Sequence, residues 1–279
     1  MDHFLTGAWH HYIVVDRPHF AMFKHLRGPR RSVLLTENVV PGNMKLLFHL
    51  PFVGGRSVWW SRKTGLSIGW HLQQMVKIGI ASFLSEPGLA YCDSDTFFVK
   101  PFNVESLTSG TNFRLYRVPQ RKRMDAIWNA SFVKTALALL DLSADGEYHT
   151  YVDNFVTWQR STVLQMCNHL ALKLGGPWQG AFRNRLQISE YALYGLYADE
   201  INAGRDHFHT NHSLCKTHWA RRKLTDVELS AFCSDLAPHE VMIGIQSFAG
   251  VEVSALERQF EQALQRHDEK LNAARDLKQ

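Results

Sequence analysis

The clearest periodic pattern in the chain lies in residues 69–84, which read GWHLQQMVKIGIASFL. Apolar residues recur there at spacings of three and four positions, which is the period of one face of an α-helix. The predicted stripe consists of Leu72, Met75, Val76, Gly79, Ile80 and Phe83. Residues 86–88 (EPG) predict the end of the helix, because proline and glycine are unfavourable inside one.

A short apolar strand is predicted directly after this helix, and it ends on acidic residues. Residues 89–92 (LAYC) lead into Asp93-Ser94-Asp95. An earlier buried strand is predicted at 11–15 (HYIVV), which is rich in β-branched residues and is also followed by an acid, Asp16. A helix that leads the chain into a buried strand is typical of the α/β class, which is the fold class we predict.

Shorter elements are predicted along the rest of the chain. Residues 44–65 are irregular, aromatic and glycine-containing, and we interpret them as a loop region. The other predicted elements are a short helix or turn at 17–26, a strand and loop at 32–41, strands at 111–119 and 240–246, and helices at 124–142, within 151–176 and at 188–201. Gly175-Gly176 predicts the C-terminal cap of the helix before it.

One domain is predicted over residues 1–253, because no internal repeat and no low-complexity linker divides it. Residues 254–279 are predicted to form a separate, charged C-terminal helix. Its apolar face consists of Leu256, Phe260, Leu264 and Leu271. This pattern is compatible with a terminal helix that packs on the domain and also with a short oligomerisation or membrane-surface helix.

The net charge of the chain limits the classes of molecule that it is expected to bind. The chain has 31 Lys and Arg residues against 26 Asp and Glu residues, a formal charge of +5. Its densest basic run is 117–123 (RVPQRKR), which we interpret as a solvated loop. A surplus this small, without a long basic stripe, argues against nucleic acid as a partner. It favours anionic small molecules or lipid head groups instead.

The cysteines and the apolar runs provide evidence on where in the cell the protein is located. The four cysteines form no C-x-x-C motif, which argues against a zinc ribbon or a thioredoxin-like site and fits a reducing compartment. No apolar run approaches the roughly 20 residues that span a bilayer. The start of the chain also lacks the basic and apolar regions of a signal peptide. We therefore expect a cytoplasmic protein and leave open a peripheral contact with a membrane surface.

The two acids after the predicted strand form the first candidate site. In an extended chain, residues i and i+2 point to the same side, so Asp93 and Asp95 can face one point beyond the strand end. Ligands of open α/β sheets bind beyond the carboxyl ends of strands. Two carboxylates repel each other there unless a cation joins them, and hard oxygen ligands suit Mg²⁺ or Mn²⁺. The alternative is a turn in which both aspartates accept hydrogen bonds from local backbone amides.

The helix at 69–84 carries a polar face opposite its apolar stripe. That face consists of Trp70, Gln73, Gln74 and Lys77. A solvent-exposed face would more often carry Glu and Lys. An aromatic ring, two amides and a cation can instead line a cleft, where they supply stacking, hydrogen bonds and a charge for phosphate. Packing of Trp70 on a neighbouring loop is the alternative.

These residues together carry a resemblance to a known family. Asp93-Ser94-Asp95 resembles the DxD motif of GT-A glycosyltransferases. The segments GWHLQQMVK (69–77), DSDTFFVKPF (93–102) and ISEYALYG (188–195) resemble a bacterial group of nucleotide-sugar transferases known as a domain of unknown function. The resemblance implies a GT-A, Rossmann-like fold. It also implies a divalent metal, Mn²⁺ or Mg²⁺, and a nucleotide-diphosphate sugar as the donor.

The resemblance also implies roles for individual residues. Asp95 would be a direct metal ligand, and Asp93 would bind the metal or the ribose. Lys77 and Gln74 would contact the nucleotide or the sugar, with Trp70 and Gln73 beside them.

The N-terminal region departs from the family pattern. GT-A domains open with a strand and a helix that form much of the nucleotide-base pocket. Residues 11–15 resemble the second strand, and residues 1–10 (MDHFLTGAWH) resemble the tail of the first helix. We therefore expect a domain that lacks the first strand and most of the first helix.

Downstream, Glu190 is the candidate catalytic residue. It either lies at a helix N-terminus capped by Ser189, where the helix dipole favours an acid, or acts as the base that deprotonates an acceptor hydroxyl in an inverting transfer. A retaining enzyme would not need such a base. The adjacent Tyr191 and Tyr194 offer rings for stacking on a sugar.

The third metal ligand is predicted in a histidine-rich segment. Many GT-A enzymes take this ligand from a late histidine, and residues 207–218 contain four histidines. His212 is the first candidate, and a loop histidine without a metal is the alternative.

The predicted function is therefore metal-dependent transfer of a sugar from a nucleotide-diphosphate donor to a glycan or lipid-linked acceptor, in the synthesis of surface glycans. A non-catalytic nucleotide- or sugar-binding relic is the first alternative, because the first strand is missing. A haloacid-dehalogenase-like phosphohydrolase is the second, since those enzymes also end a strand with D-x-D and use the first Asp as nucleophile. They carry a small Thr or Val where this chain has Phe97.

Overall fold

The computed structural model describes residues 1–40, 44–50, 56–62, 65–119 and 126–276, and in these ranges the chain is a mixed α/β protein. The α-helices are α1 (Phe20–Phe23), α2 (Thr36–Val39), α3 (Gly69–Phe83), α4 (Ala126–Leu140), α5 (Arg160–Leu174), α6 (Glu190–Leu196), α7 (Asp226–Ser234) and α8 (Val253–Asp276). The predicted α/β class is thereby confirmed.

The strands are short. They are β1 (Leu5–Thr6), β2 (His11–Val15), β3 (Arg31–Leu35), β4 (Lys45–Leu50), β5 (Arg56–Ser61), β6 (Gly65–Ile68), β7 (Gly88–Cys92), β8 (Thr96–Phe98), β9 (Phe102–Asn103), β10 (Thr108–Ser109), β11 (Asn112–Tyr116), β12 (Val118–Pro119), β13 (His149–Thr150), β14 (Phe155–Gln159), β15 (His207–Thr210), β16 (Cys215–His218) and β17 (Met242–Ile245).

In the described ranges, these strands pair in small sheets of two or three. Two of the sheets position the candidate site. β7 pairs antiparallel with β14, and β17 pairs parallel with β16 on one side and antiparallel with β8 on the other. The parallel pairs β2–β3 and β11–β15 form further parts of the α/β framework.

The predicted helix at 69–84 is α3, and nine of its 15 residues are buried. Its apolar residues join the main core, where α3 packs against α5, α6 and β5. Phe83 is an exception to the predicted stripe, because it lies in the last turn and is exposed. Since α3 has neighbours on most sides, its polar residues Gln74 and Lys77 face protein rather than an open cleft.

The interpretation of residues 44–65 as a loop is wrong. β4, β5 and β6 form an antiparallel sheet there, and the connecting residues 51–55 and 63–64 lie outside the described ranges. Trp59 and Trp60 alternate across β5, so that Trp59 is buried in the core and Trp60 is partly exposed. The aromatic residues that suggested irregularity therefore follow the period of a half-buried strand.

The N-terminal segment is also corrected. Residues 1–10 contain the strand β1, which pairs parallel with β9, and not the tail of a helix. Phe4 is buried and contacts the rings of Phe260 and His267. This packing requires an extended segment that runs beside β9. The strand predicted at 11–15 is confirmed as β2, but all five of its residues are only half-buried.

The C-terminal helix α8 packs on the rest of the chain. Phe260 meets Phe4 and Phe97 at ring-centroid distances of 6.4 and 5.9 Å, and Ala255 and Ala263 are buried. These contacts agree with the alternative in which the terminal helix packs on the domain. Leu271 belongs to the part of α8 whose side chains are not described.

Other helix ends follow the predicted signals. Gly175 has a φ of 60° and ends α5, as the Gly-Gly pair indicated. The hydroxyl of Ser189 accepts a hydrogen bond from the amide of Ala192 at the start of α6. After Leu196, α6 continues as a π-helical turn, Tyr197–Ile201.

All four cysteines are free thiols. Burial raises the pKa of Cys92 to about 11, of Cys167 to about 12 and of Cys233 to about 11, and it also raises the pKa of Cys215. Among the described helices, none is long and apolar enough to cross a membrane.

Candidate functional site

Helix α3 and strand β7 bring Lys77 to Asp93. The hydroxyl of Tyr91 donates a hydrogen bond of 2.7 Å to the carbonyl oxygen of Lys77, which joins β7 to α3 directly. Asp93 follows the last residue of β7. The Lys77 ammonium donates to Oδ1 of Asp93 at 2.9 Å.

Helix α6 supplies the second carboxylate. The Lys77 ammonium lies 3.2 Å from Oε1 of Glu190 and donates to the hydroxyl of Tyr191 at 2.5 Å. Glu190 is the first residue of α6, where the unpaired amides of a helix start favour an acid. We call Lys77, Asp93, Glu190 and Tyr191 the Lys77 cluster; residues more than 110 positions apart in the chain meet in it.

Exposure falls from one member of the Lys77 cluster to the next. The side chain of Asp93 is 23% exposed, that of Lys77 10% and that of Glu190 5%. Burial acts to lower the pKa of Lys77, but the negative charge of its partners outweighs burial and raises it well above the ordinary value. Burial raises the pKa of Glu190, against the opposing effect of the Lys77 charge. The deepest acid of the cluster thus depends on Lys77 for its charge.

Asp95 lies in a turn beside the cluster. The chain leaves the extended conformation after Cys92, so Asp93 and Asp95 do not continue β7 as predicted. The local-turn alternative is also incomplete, because Oδ2 of Asp95 accepts a hydrogen bond of 3.0 Å from the distant amide of Ser247. The carbonyl oxygen of Asp95 accepts from the amide of Ile245, in β17. The end of β17 therefore fixes Asp95.

Two carboxylate oxygens of this site lack a donor in the described part of the chain. Oδ1 of Asp95 is buried without a hydrogen-bond partner. Oδ2 of Asp93 has none either, because Lys77 and Gln73 both donate to Oδ1. Burial raises the pKa of Asp95, and its hydrogen bond to Ser247 opposes that effect only in part. Three carboxylates and one ammonium also leave a formal charge of −2, which a divalent cation would balance.

The donor set fits a hard cation only in part. Carboxylate oxygens are the ligands that Mg²⁺ and Mn²⁺ prefer. Within the described ranges, however, no three His, Cys, Asp or Glu residues are placed to hold one metal ion. Asp93 and Asp95 are therefore two candidate ligands, and further positions would belong to water or substrate, as is usual for Mg²⁺.

His212 does not join the two aspartates. Its ring stacks on that of His239 at 4.6 Å, and its carbonyl oxygen accepts a hydrogen bond from the buried Arg114. Its amide donates to Oγ1 of Thr210. These contacts hold His212 in the loop after β15, so the prediction of His212 as third metal ligand is not supported by the geometry.

The polar face of α3 is divided between the surface and the interior. Gln73 is exposed and its amide reaches Oδ1 of Asp93 at 3.4 Å. Gln74 is buried, and its Oε1 accepts a hydrogen bond from the amide of Glu190 at 3.0 Å, while its Nε2 has no partner in the described chain. Gln74 therefore holds the start of α6 and does not line an open cleft. Trp70 is exposed and lies 5.8 Å from the ring of Phe132.

Of the two tyrosines proposed for sugar stacking, one is excluded by its packing. Tyr194 is fully buried, stacks on Trp158 at 4.6 Å and shares its hydroxyl with His207 and with the amide of Gln159. Tyr191 is buried and contacts Lys77 in two ways: its hydroxyl accepts a hydrogen bond from the ammonium, and the ammonium lies 4.5 Å from the centre of its ring. Trp158 is itself buried in the main core.

A second buried carboxylate lies at the other end of α6, in the π-helical turn. Oδ2 of Asp199 accepts from Arg117 at 2.7 Å and from Tyr151 at 2.8 Å, and Oδ1 accepts from Nε2 of His209 at 2.7 Å. Burial acts to raise the pKa of Asp199, but these hydrogen bonds outweigh it and hold the pKa below the ordinary value. We call Asp199, Arg117, Tyr151 and His209 the Asp199 cluster.

The residues that follow β16 and β17 are not recognisable as site residues from the sequence alone. Ser247 binds Asp95 through its amide, and the exposed rings of Trp219 and Phe248 lie at the same strand ends. The sequence pattern of residues 215–218 (CKTH) does not predict a strand, so the sequence does not place Trp219 at the carboxyl end of one. The rule that ligands bind at the carboxyl ends of strands would have indicated both segments once the two strands were known.

Comparison with protein families gives one match. The model of a family of unknown function, DUF6492, matches residues 1–256. No curated protein matches the chain.

Proposed function

Because this chain belongs to DUF6492, a family of unknown function, its activity has to be inferred from its own residues, and we propose that it is a metal-dependent glycosyltransferase. The proposed reaction moves a sugar from a nucleotide-diphosphate donor to a hydroxyl group of a glycan or lipid-linked acceptor. The proposed fold is the GT-A, Rossmann-like arrangement with its DxD motif after a strand. The proposed compartment is the cytoplasm.

The observation that carries the proposal is the excess of negative charge at the ends of β7 and β17. Asp93 and Asp95 each keep one oxygen without a donor in the described residues, although Asp95 is held in place by Ser247. A carboxylate oxygen that is buried without a partner is unfavourable. A site that retains such an oxygen beside two further carboxylates is suited to bind a cation.

In this proposal Asp93 and Asp95 would hold Mn²⁺ or Mg²⁺. When bound, such a cation supplies Lewis-acid help by neutralising charge on the leaving diphosphate. Lys77 and Gln73 both donate to Oδ1 of Asp93, which orients the carboxylate and leaves Oδ2 for a ligand. Trp70 lies three positions before Gln73, on the same face of α3. Its side chain is exposed and is placed to contact the donor.

Glu190 fits a positioning role better than the predicted role of catalytic base. Its carboxylate is the most buried group of the Lys77 cluster and is engaged with the Lys77 ammonium. A general base has to come within hydrogen-bond distance of the acceptor hydroxyl. In this arrangement Glu190 fixes Lys77, and Lys77 in turn fixes Asp93.

Titration of the purified protein with Mn²⁺ and a panel of nucleotide-diphosphate sugars tests the proposal. We expect Mn²⁺-dependent binding of one donor and release of its nucleotide diphosphate. Asp95→Asn should weaken that binding at least roughly tenfold, the loss that even supporting groups of a metal site cause. Asp235→Asn, which changes an exposed aspartate that pairs with Lys216, should not.

The other outcomes distinguish the alternatives. Donor binding without release of the nucleotide diphosphate, even with acceptors present, would indicate the non-catalytic relic. Release of inorganic phosphate from phosphate monoesters would indicate the phosphohydrolase. Binding that does not depend on Mn²⁺, or that Asp95→Asn leaves unchanged, would contradict the transferase proposal.

A further inference from the structure

A rim of aromatic and cationic side chains lies next to Asp95. His218 pairs with Ile245, so the residues after β16 and β17 leave the same edge of one sheet. Trp219 is the first residue beyond β16, and Phe248 comes directly after Ser247, whose amide holds Asp95. The two segments therefore frame one side of the proposed metal site. We call Trp219, Arg221 and Phe248 the rim.

Both aromatic rings of the rim are exposed, whereas most other aromatic side chains of the described chain are not. Trp219 is 40% exposed and Phe248 49%. Large aromatic side chains are normally buried, and exposed ones beside a site are enriched where ligands or partners bind. Nε2 of Gln246, between Ile245 and Ser247, is also buried without a hydrogen-bond partner in the described residues.

Arg221 carries a charge that its neighbours do not balance. Its guanidinium lies 5.5 Å from the centre of the Phe248 ring, and it has no carboxylate within ion-pair distance in the described chain. The two basic residues that follow differ in this respect. Arg222 pairs with Glu228 at 2.7 Å, and Lys223 pairs with Glu252 at 3.3 Å.

A hydrogen bond and a ring contact stabilise the conformation of the segment that carries Arg221. His218 Nε2 donates to the carbonyl oxygen of Arg222 at 2.8 Å, which closes the segment 218–222 into a loop. The ring of Phe232, in α7, meets the ring of His218 edge to face, with 5.9 Å between the ring centroids. Arg221 thus lies near the tip of a braced loop, over Phe248.

We propose that the rim binds the acceptor, and that this acceptor is a saccharide with an anionic group on its pyranose ring; this inference rests on the proposed transferase function. The ring of Trp219 and the exposed part of the Phe248 ring offer apolar surface to the C–H face of a sugar. The planar guanidinium of Arg221 matches a carboxylate or phosphate through paired hydrogen bonds. An unbalanced cation beside a site of charge −2 also draws the anionic group away from Asp93 and Asp95.

Calorimetric titration with two trisaccharides tests this inference. The probes are the α-1,4-linked trimer of galacturonic acid and the corresponding neutral trimer of galactose, each with Mg²⁺ present. For the full chain we expect the acidic trimer to bind about tenfold more tightly, since hydrogen bonds to charged groups are worth about 1.5–3 kcal/mol. Arg221→Gln should abolish this preference, and Arg221→Lys should retain part of it. Phe248→Ala should weaken both trimers roughly fivefold, as lost ring contacts do.

Control variants separate the rim from other sites. Leu172→Ala removes an exposed apolar side chain of α5, and Arg205→Gln removes an exposed cation; both should leave the affinities unchanged. The preference for the acidic trimer should persist when EDTA replaces Mg²⁺, because the rim and not the metal holds the acid. A preference that EDTA abolishes would overturn the inference, because the probe would then be binding the metal.

Equal affinity of the two trimers for the full chain, absence of binding of both at millimolar concentration, or a preference that survives Arg221→Gln would likewise overturn it. The same protein preparation, titrated with a nucleotide diphosphate with and without Mn²⁺, reports on metal-dependent binding of the donor. If that binding is absent while the acidic trimer still binds through Arg221, the transferase proposal fails and the rim stands as an acidic-saccharide site. If only trimer binding is absent, the rim inference alone fails.

Discussion

Helix α6 connects two buried carboxylates whose surroundings differ. Glu190, at its start, lies in the Lys77 cluster, where one ammonium faces two carboxylates and Asp95 adds a third nearby. Asp199, in the π-helical turn, lies in the Asp199 cluster, where Arg117, Tyr151 and His209 satisfy both oxygens. Burial of a carboxylate is therefore not in itself a sign of a ligand site. What distinguishes the first region is negative charge and two carboxylate oxygens that receive no hydrogen bond from the described residues.

The largest effect is expected from Lys77→Met, which removes the only ammonium of the Lys77 cluster. Leaving buried carboxylates unpaired should lower the free energy of unfolding by about 3–5 kcal/mol at neutral pH. Because the pKa of folded Lys77 is raised, its contribution is complete below the ordinary value of 10.5 and is lost only as the pH rises through the raised value.

Urea denaturation at pH 8 and at pH 5 checks this prediction. The loss should be smaller at pH 5, because the raised pKa of Glu190 lets that carboxyl group take up a proton. The additional substitution Glu190→Gln should recover part of the stability at pH 8. An equal loss at both pH values would show that Lys77 stabilises the fold through packing rather than charge.

Gly195→Ala is expected to disturb the Asp199 cluster. A Cβ atom at Gly195 would lie 2.0 Å from Cγ of Tyr151, a member of the Asp199 cluster, so the ring would have to move. We expect a loss of about 3 kcal/mol from overpacking, although alanine favours a helix by about 1 kcal/mol. Thermal and urea unfolding measure the loss. Gly180→Ala, where the added atom has ordinary contact distances, is the matched control.

Asp199→Asn removes the charge from the balanced cluster. We expect a loss of about 2 kcal/mol at pH 7, since hydrogen bonds to a charged acceptor are worth about 1.5–3 kcal/mol each before the amide recovers part of them. The pKa of Asp199 is lowered, so its stabilisation is complete above the ordinary value of 3.8 and is lost as the pH falls through the folded value.

The difference in stability between the parent protein and Asp199→Asn should therefore shrink below pH 4. Mn²⁺ binding should be unchanged in this variant, in contrast to Asp95→Asn. A parallel loss of Mn²⁺ binding would show that the two clusters are coupled through α6.

The smallest effect is expected from Gln74→Met. This change removes the acceptor for the Glu190 amide, but it also removes the buried Nε2 that has no partner in the described chain. The two effects oppose each other, and the net change in unfolding free energy should be at most about 1 kcal/mol. A loss above that size, measured by urea denaturation, would assign Gln74 a larger part in holding α6.

The fold elements with a strong periodic pattern could be predicted from the sequence. The stripe of α3, the glycine cap of α5 and the apolar run of β17 depend on local periods and caps, which a sequence displays directly. Residues 44–65 could not be predicted, because Trp59 and Trp60 alternate within a segment that also contains glycines and a proline. The position of β1 depends on its pairing with β9, nearly 100 residues away.

The candidate site also contains some features that the sequence reveals and others that depend on tertiary packing. The spacing of Asp93 and Asp95 was visible in the sequence, and so was the position of Lys77 on the helix before them. The burial of Gln74 and Glu190 was not, because it depends on the packing of α3 against α6. The rim was not visible either, since the pairing of His218 with Ile245 is what places Trp219 and Phe248 at one sheet edge.

The burial of the four thiols has a consequence for experiments on this site. The raised pKa of Cys92, next to Asp93, leaves almost no thiolate at neutral pH, and burial has the same effect on the other three. Alkylating labels react with thiolates. A single cysteine introduced at an exposed position such as Leu172 would therefore take up a fluorophore selectively in the native background. Binding of donors and acceptors could then be followed in a protein that keeps all of its own cysteines.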